Sequence, residues 1–84
     1  MTTVADSTQA LEAQHVLQTY RRQPITLVRG EGARVFDADG RTYLDLLSGI
    51  GVASLGHANP GLARVIAEQA QTLLHTSNLF FHPL

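Results

Sequence analysis

No cysteine and no tryptophan occur in the 84 residues, and all six basic side chains are arginines (Arg21, Arg22, Arg29, Arg34, Arg41 and Arg64). The missing thiol excludes disulfides, thiolate metal ligands and a cysteine nucleophile, and leaves the redox compartment open. The missing lysine excludes more: no side chain here can form an imine, and no phosphate-loop lysine is available. Charge is also scarce. Charged residues make up 15% of the chain and the net charge is −1, a balance that marks out neither nucleic acid nor an anionic membrane surface as partner. No apolar run approaches the roughly 20 residues needed to span a bilayer. The opening MTTVADSTQALEAQ lacks a basic region followed by an apolar one, and it carries Asp6 and Glu12 where a transit peptide is poor in acid, so a cytoplasmic location is expected.

What remains is a chain of globular type, 44% hydrophobic. At this length a folded chain buries little more than about 60% of its unfolded surface, which allows one domain with a thin core. Its organising stretch is Leu44 to Pro60, LDLLSGIGVASLGHANP, where Gly49, Gly51 and Gly56 interrupt an apolar run. The run is too broken for a helix and too hydrophobic for full exposure. It reads as a strand leading into a loop whose backbone bends sharply or is closely approached. Glycines between a strand and a helix also read as plain turn chemistry.

In chain order, residues 1–5 are expected to fray. Asp6 and Gln9 resemble a capping pair, and Ala10, Ala13, Leu17 and Tyr20 recur at helical spacing, predicting an amphipathic helix over 7–19 that stops before Pro24. ITLVR, RVFD and TYLDLL then have strand character, separated by GEGA and by a turn containing Asp39-Gly40. They predict a three-stranded antiparallel meander over 25–47, with Val35 and Phe36 on opposite faces. A glycine-rich loop follows over 48–59. Asn59 as cap and Pro60 at the first position open a helix over 60–74, with Leu62, Ala63, Ile66, Ala70, Leu73 and Leu74 on its apolar stripe and His75 in its last turn. A tail over 75–84 ends the sequence, carrying Leu79, Phe80 and Phe81. The fold class expected is an α+β segment: short helix, meander, glycine-rich loop, amphipathic helix.

Several chemical motifs are approached and missed. Gly51 to Ala58 has the glycine spacing of a nucleoside-triphosphate loop, but His57 stands in the lysine position and Ala58 in the magnesium-binding hydroxyl position. Gly49-Ile50-Gly51 could open a dinucleotide fingerprint, but Ser54 replaces its third glycine. Asp37 and Asp39 beside Gly40 suggest a calcium loop, yet Ser48 stands at the closing position that requires glutamate, so a plain turn is the better reading. His15, His57, His75 and His82 have no pair at zinc-ligand spacing, and no metal site is expected. His57 reads as a site histidine at the loop mouth or as an imidazole bonded to turn backbone. No acidic partner stands near it in the sequence, which favours the structural role. Asp45, on an apolar strand, reads best as a satisfied structural carboxylate. Thr76-Ser77-Asn78 could donate to a ligand or form the turn after a helix.

Taken together, Tyr20 before Pro24, Gly30-Glu31-Gly32, Asp37 with Gly40, Tyr43-Leu44-Asp45, Gly49-Ile50, Gly56-His57 with Pro60, Gln69 and His75-Thr76-Ser77-Asn78 resemble the N-terminal segment of class III pyridoxal-phosphate-dependent aminotransferases. The resemblance covers nearly everything from residue 16 onward. It is nearest to the acetylornithine branch of that family, because ornithine-specific members tend to carry tyrosine where Ile50 stands. Asn59 and Phe81-His82-Pro83 depart from the usual pattern, the latter from a more usual tyrosine and asparagine.

The resemblance implies a fold-type I enzyme that moves the amino group of N2-acetylornithine to 2-oxoglutarate in arginine synthesis, working as a homodimer with pyridoxal 5′-phosphate. It further implies that these residues are an N-terminal fragment, inactive alone. The family's lysine, pyridine-nitrogen aspartate, phosphate loop and carboxylate-binding arginine lie beyond it, so no catalytic or cofactor-binding residue is expected here. Ser48, Gly49, Ile50 and Gly51 would line the substrate pocket. Asn78, Phe80 and Phe81 would lie near the dimer interface and reach a neighbouring site. Succinylornithine or a lysine-pathway analogue would suit the same residues. The competing expectation is a free-standing, non-catalytic module that binds a partner through its aromatic tail.

Overall fold

The computed structural model describes residues 3–84. Helix α1 spans Val4–His15, one turn earlier than the periodicity suggests. Thr3 is its cap: the Thr3 hydroxyl accepts from the Asp6 amide at 3.0 Å, and the Thr3 amide donates to the Asp6 carboxylate at 3.4 Å. Asp6 is therefore the closing member of a capping box, and the pairing with Gln9 is corrected. Of the five residues expected to fray, Thr3 to Ala5 are ordered by this cap, and residues 1 and 2 lie outside the described part. The helix stops at His15, four residues short of the expected end. Val16 is extended, Gln18 donates to the Val16 carbonyl at 2.8 Å, and Arg22 pairs with Glu12 at 2.6 Å, folding the following segment back along the helix. No residue of α1 is buried. Polar contacts hold it to that segment, including Gln9 to Thr26 at 3.1 Å, so the expected apolar packing of this helix is not what fixes it.

Three strands form an antiparallel sheet in the order β1 (Leu27–Glu31), β2 (Arg34–Asp37), β3 (Thr42–Leu44). The meander is thus present within narrower bounds than 25–47. An irregularity between Leu27 and Arg29 ends the regular pairing of β1, while Asp45 makes one last backbone bond to the Ala33 carbonyl at 2.7 Å before the chain turns away. Glu31 pairs with Arg34 across a two-residue Gly32-Ala33 loop, with Gly32 at φ +57°. Period-two alternation places Val35 and Asp37 on one face, at 9% and 5% exposure, and Phe36 on the other beneath the Arg29 guanidinium, 3.7 Å from the ring centre.

The centre of the buried face is a carboxylate. Asp37 accepts from the amides of Asp39 (2.9 Å) and Arg41 (2.8 Å) and from the Tyr43 hydroxyl (2.8 Å), which closes the second turn. Burial pushes the Asp37 carboxyl up, but those donors outweigh it and hold it below the usual carboxylate range. Donating to Asp37 raises the Tyr43 phenol above its ordinary value.

Helix α2 spans Pro60–Thr72, and the Asn59 side chain accepts from the Leu62 amide at 3.0 Å. It ends two residues before the expected position because Leu73 is extended and the Gln69 side chain takes the Leu73 carbonyl at 2.9 Å. His75 therefore lies beyond the helix rather than in its last turn. Among the described residues no other element packs against α2, and Leu62 and Ile66 on its apolar stripe, with Val65 beside them, stay open to solvent. The radius of gyration is 17.3 Å, where a compact chain of this length has about 12 Å. Accessible surface is 7642 Å², against about 4,900 Å² for a folded monomer of this mass. The arrangement is ordered locally and open globally.

Candidate functional site

Local order is densest where β3 runs into the glycine-rich stretch. One Asp45 oxygen accepts from the amides of Leu47 (3.1 Å) and Ser48 (2.8 Å), and the other from His57 Nε2 at 2.6 Å. The Ser48 amide, the His57 ring and the Leu47 amide together hold the Asp45 carboxyl below its ordinary range. Asp45 is therefore ionised at neutral pH, and the proton in the short contact sits on His57 Nε2. An acidic partner for His57 thus exists, twelve residues upstream, which corrects the expectation of none.

From this anchor the backbone turns left-handed. Ser48, Gly49, Ile50 and Gly51 have φ of +54°, +61°, +62° and +81°. The amides of Ile50 and Gly51 bond back to the Leu47 carbonyl at 2.9 and 3.1 Å, and those of Val52 and Ala53 to the Ser48 carbonyl, both at 2.8 Å. Residues 48–59 are accordingly not an open loop throughout, since they begin with one turn of left-handed helix. Glycine accepts this geometry freely, whereas Ser48 and Ile50 each cost about 1–2 kcal/mol there. A β-branched residue is the least suited of all. Ile50 nevertheless holds the apex with 82% of its surface exposed.

The far end of the stretch is clamped to the first hairpin. His57 and Gly32 exchange backbone bonds of 2.9 and 2.8 Å. The imidazole lies over Gly30, where an added Cβ would sit 2.6 Å from His57 Cβ and Cγ. Gly56 has φ +78°, and a Cβ there would meet the Gly32 carbonyl oxygen at 2.9 Å. Glycines at 30 and 56 thus let the two segments approach, and Gly32 supplies the positive φ of the hairpin turn, so that His57 is brought to Asp45.

Ser48, Gly49, Ile50 and Gly51 are brought together on this turn. Asn78, Phe80 and Phe81 lie elsewhere, lining a cavity of about 510 Å³ with Gln69, Leu73 and His75 that no residue of the turn enters. Ser77, at φ +66°, bends the chain there, and its hydroxyl accepts from the Leu79 amide at 3.4 Å, so the polar triplet acts as a turn. Among the described residues no three His, Asp or Glu side chains gather as metal ligands. Sequence reasoning placed the turn but missed the Asp45–His57 contact. The available signal was an acid in an apolar strand followed by a histidine flanked by glycine.

Residues 16–84 match the family model described as "Aminotransferase class-III". The acetylornithine aminotransferase of Thermosynechococcus vestitus is 54% identical over 77 residues, covering 92% of this chain and 18% of that protein. Among solved structures, acetylornithine aminotransferase from Elizabethkingia anophelis superposes with TM-score 0.89 at 34% identity over 94% of this chain and 20% of its own. An ornithine aminotransferase from Toxoplasma gondii, whose structure reports partial occupancy of pyridoxal phosphate at the active site, also superposes with TM-score 0.89, at 32% identity over 96% of this chain and 19% of its own. The backbone arrangement is therefore shared by relatives named for different substrates. This chain spans about a fifth of their length, and it belongs to the class-III aminotransferases.

Proposed function

We propose that this chain is the N-terminal segment of a fold-type I aminotransferase that moves the amino group of N2-acetylornithine to 2-oxoglutarate, giving N-acetylglutamate 5-semialdehyde and glutamate, in arginine biosynthesis. The enzyme is a cytoplasmic homodimer that uses pyridoxal 5′-phosphate, and Ser48 to Gly51 form a wall of its substrate pocket. Asn78, Phe80 and Phe81 stand near the dimer interface.

The observation that carries this reading is Ile50 itself. An exposed, β-branched aliphatic side chain is held at a strained apex in a chain about half identical to acetylornithine aminotransferases. Backbone strain concentrates where a position must be presented rather than merely packed. An aliphatic group at that apex suits an acylated amino donor, since it offers no hydroxyl to pair with a free amine.

The donor set on this chain does not fit a resident pyridoxal phosphate. It has no lysine, and its carboxylate–imidazole pair is committed to holding backbone. The segment contributes shape, and no chemical step is assigned to it. A free-standing binding module fits poorly with 7642 Å² of exposed surface and an uncovered helix.

The test is a transamination assay on the full-length enzyme with 2-oxoglutarate and three donors: N2-acetylornithine, N2-succinylornithine and ornithine. The expected result is kcat/KM for acetylornithine at least about tenfold above ornithine. Ornithine equal or better, or no transfer from any donor, would overturn the assignment.

A further inference from the structure

We infer that Asp45 and His57 form a latch that holds the Ser48–Gly51 turn in its left-handed form, making both of them positioning residues for the substrate pocket. The pocket part of this inference rests on the function proposed above.

The turn does not sustain its own geometry. Two of its four residues carry side chains in a region that favours glycine, so the isolated sequence would relax toward right-handed or extended backbone. Opposing that relaxation is a carboxylate that fixes the amides of Leu47 and Ser48 at the entrance of the turn. The carboxylate is itself fixed by His57. His57 in turn is anchored by backbone bonds to Gly32 and by the space left over Gly30. A chain of contacts thus runs from the first hairpin to Ile50 without a packed core. Removing the His57 ring frees Asp45 to swing, and removing the carboxylate charge weakens the bonds that set φ at Ser48.

The experiment uses the full-length, cofactor-loaded enzyme with Asp45→Asn, His57→Ala and His57→Gln, and each is repeated in a Ser48→Gly background. Glutamine reaches about as far as imidazole and can donate to Asp45, so His57→Gln should stay near wild type. Asp45→Asn and His57→Ala should raise KM for the amino donor about tenfold while kcat changes less than about threefold, and should speed amide hydrogen exchange in 46–53 with no change in 27–37. Ser48→Gly removes one strained side chain and should recover a large part of the lost KM in those two variants. A merely structural role would lower apparent kcat through loss of active enzyme, leave KM unchanged, and would not respond to that glycine. Unchanged exchange in 46–53 for both disrupting variants overturns the latch. Faster exchange with unchanged KM leaves the latch standing and rejects the turn as a pocket wall. If a variant accumulates poorly, hydrogen exchange on its soluble fraction gives the same decision.

Discussion

At the scale of single residues, the glycines that matter are those that bring His57 into place. Adding a methyl at Gly30 puts it 2.6 Å from His57 Cβ and Cγ, so Gly30→Ala must push the imidazole away from Asp45. The expected cost in the full-length enzyme is about 1–3 kcal/mol, read by chemical denaturation. Gly56→Ala should cost more, because its positive φ coincides with a backbone oxygen at 2.9 Å that has nowhere to move. Gly40→Ala is the comparison: it shares the positive φ, at +87°, but meets nothing within 4 Å, so strain alone remains, about 1 kcal/mol. If Gly56→Ala and Gly40→Ala cost the same, the close approach of the two backbones is not a determinant.

Asp37 and Asp45 supply a pH signature of known sign. Both carboxyls are held below their ordinary value in the folded chain. Their contribution is therefore complete above the unfolded carboxylate value of about 3.9 and is lost as pH falls through the lower folded value. Exchange protection of the Arg41 and Ser48 amides should persist at about pH 5 and decline below about pH 4, and Asp37→Asn or Asp45→Asn should flatten the matching profile. Protection that does not change on acidification would show these carboxylates to be spectators.

At the scale of elements, short-range chemistry sets most boundaries. Asn59 caps α2 through the Leu62 amide, and Asn59→Ala should lower stability by about 1 kcal/mol in the full-length enzyme, measured as a shift in the denaturation midpoint. An unchanged midpoint would mean that tertiary contacts alone fix this helix start. The cap and the proline after it were legible in the sequence, as was the hairpin at Asp39-Gly40. Boundaries set by helix side chains that reach onto the segment after the helix were not. The end of α1 depends on Glu12 reaching Arg22, and the end of α2 on Gln69 turning back to Leu73. The left-handed turn was half legible. Three glycines announced an unusual backbone, but Ser48 and Ile50 adopting the same hand contradicts their local preference and follows from a carboxylate that cooperates with a histidine twelve residues away. Periodicity and spacing carry no record of that convergence.

At the scale of the whole molecule, the chain exposes what a folded domain hides. Val35 is its one buried apolar side chain among the described residues, and Phe80 and Phe81 are open. Taken alone, these 84 residues should scatter with a radius of gyration well above the roughly 12 Å of a compact chain and melt without a cooperative transition. A compact, cooperatively melting monomer would contradict the view that the stripe of α2 and the aromatic tail belong against other parts of an enzyme.

Acetylornithine and ornithine aminotransferases superpose equally well on this chain, so the backbone is common to relatives named for different donors. Discrimination between donors therefore resides in side chains, and under the function proposed above Ile50 supplies it. The most direct test is the ratio of kcat/KM for N2-acetylornithine to that for ornithine, measured for the full-length enzyme and for Ile50→Tyr. The ratio should fall at least about tenfold in the variant, as a phenol at the apex takes up the free amine and crowds the acyl group. An unchanged ratio would show that the left-handed turn does not face the substrate.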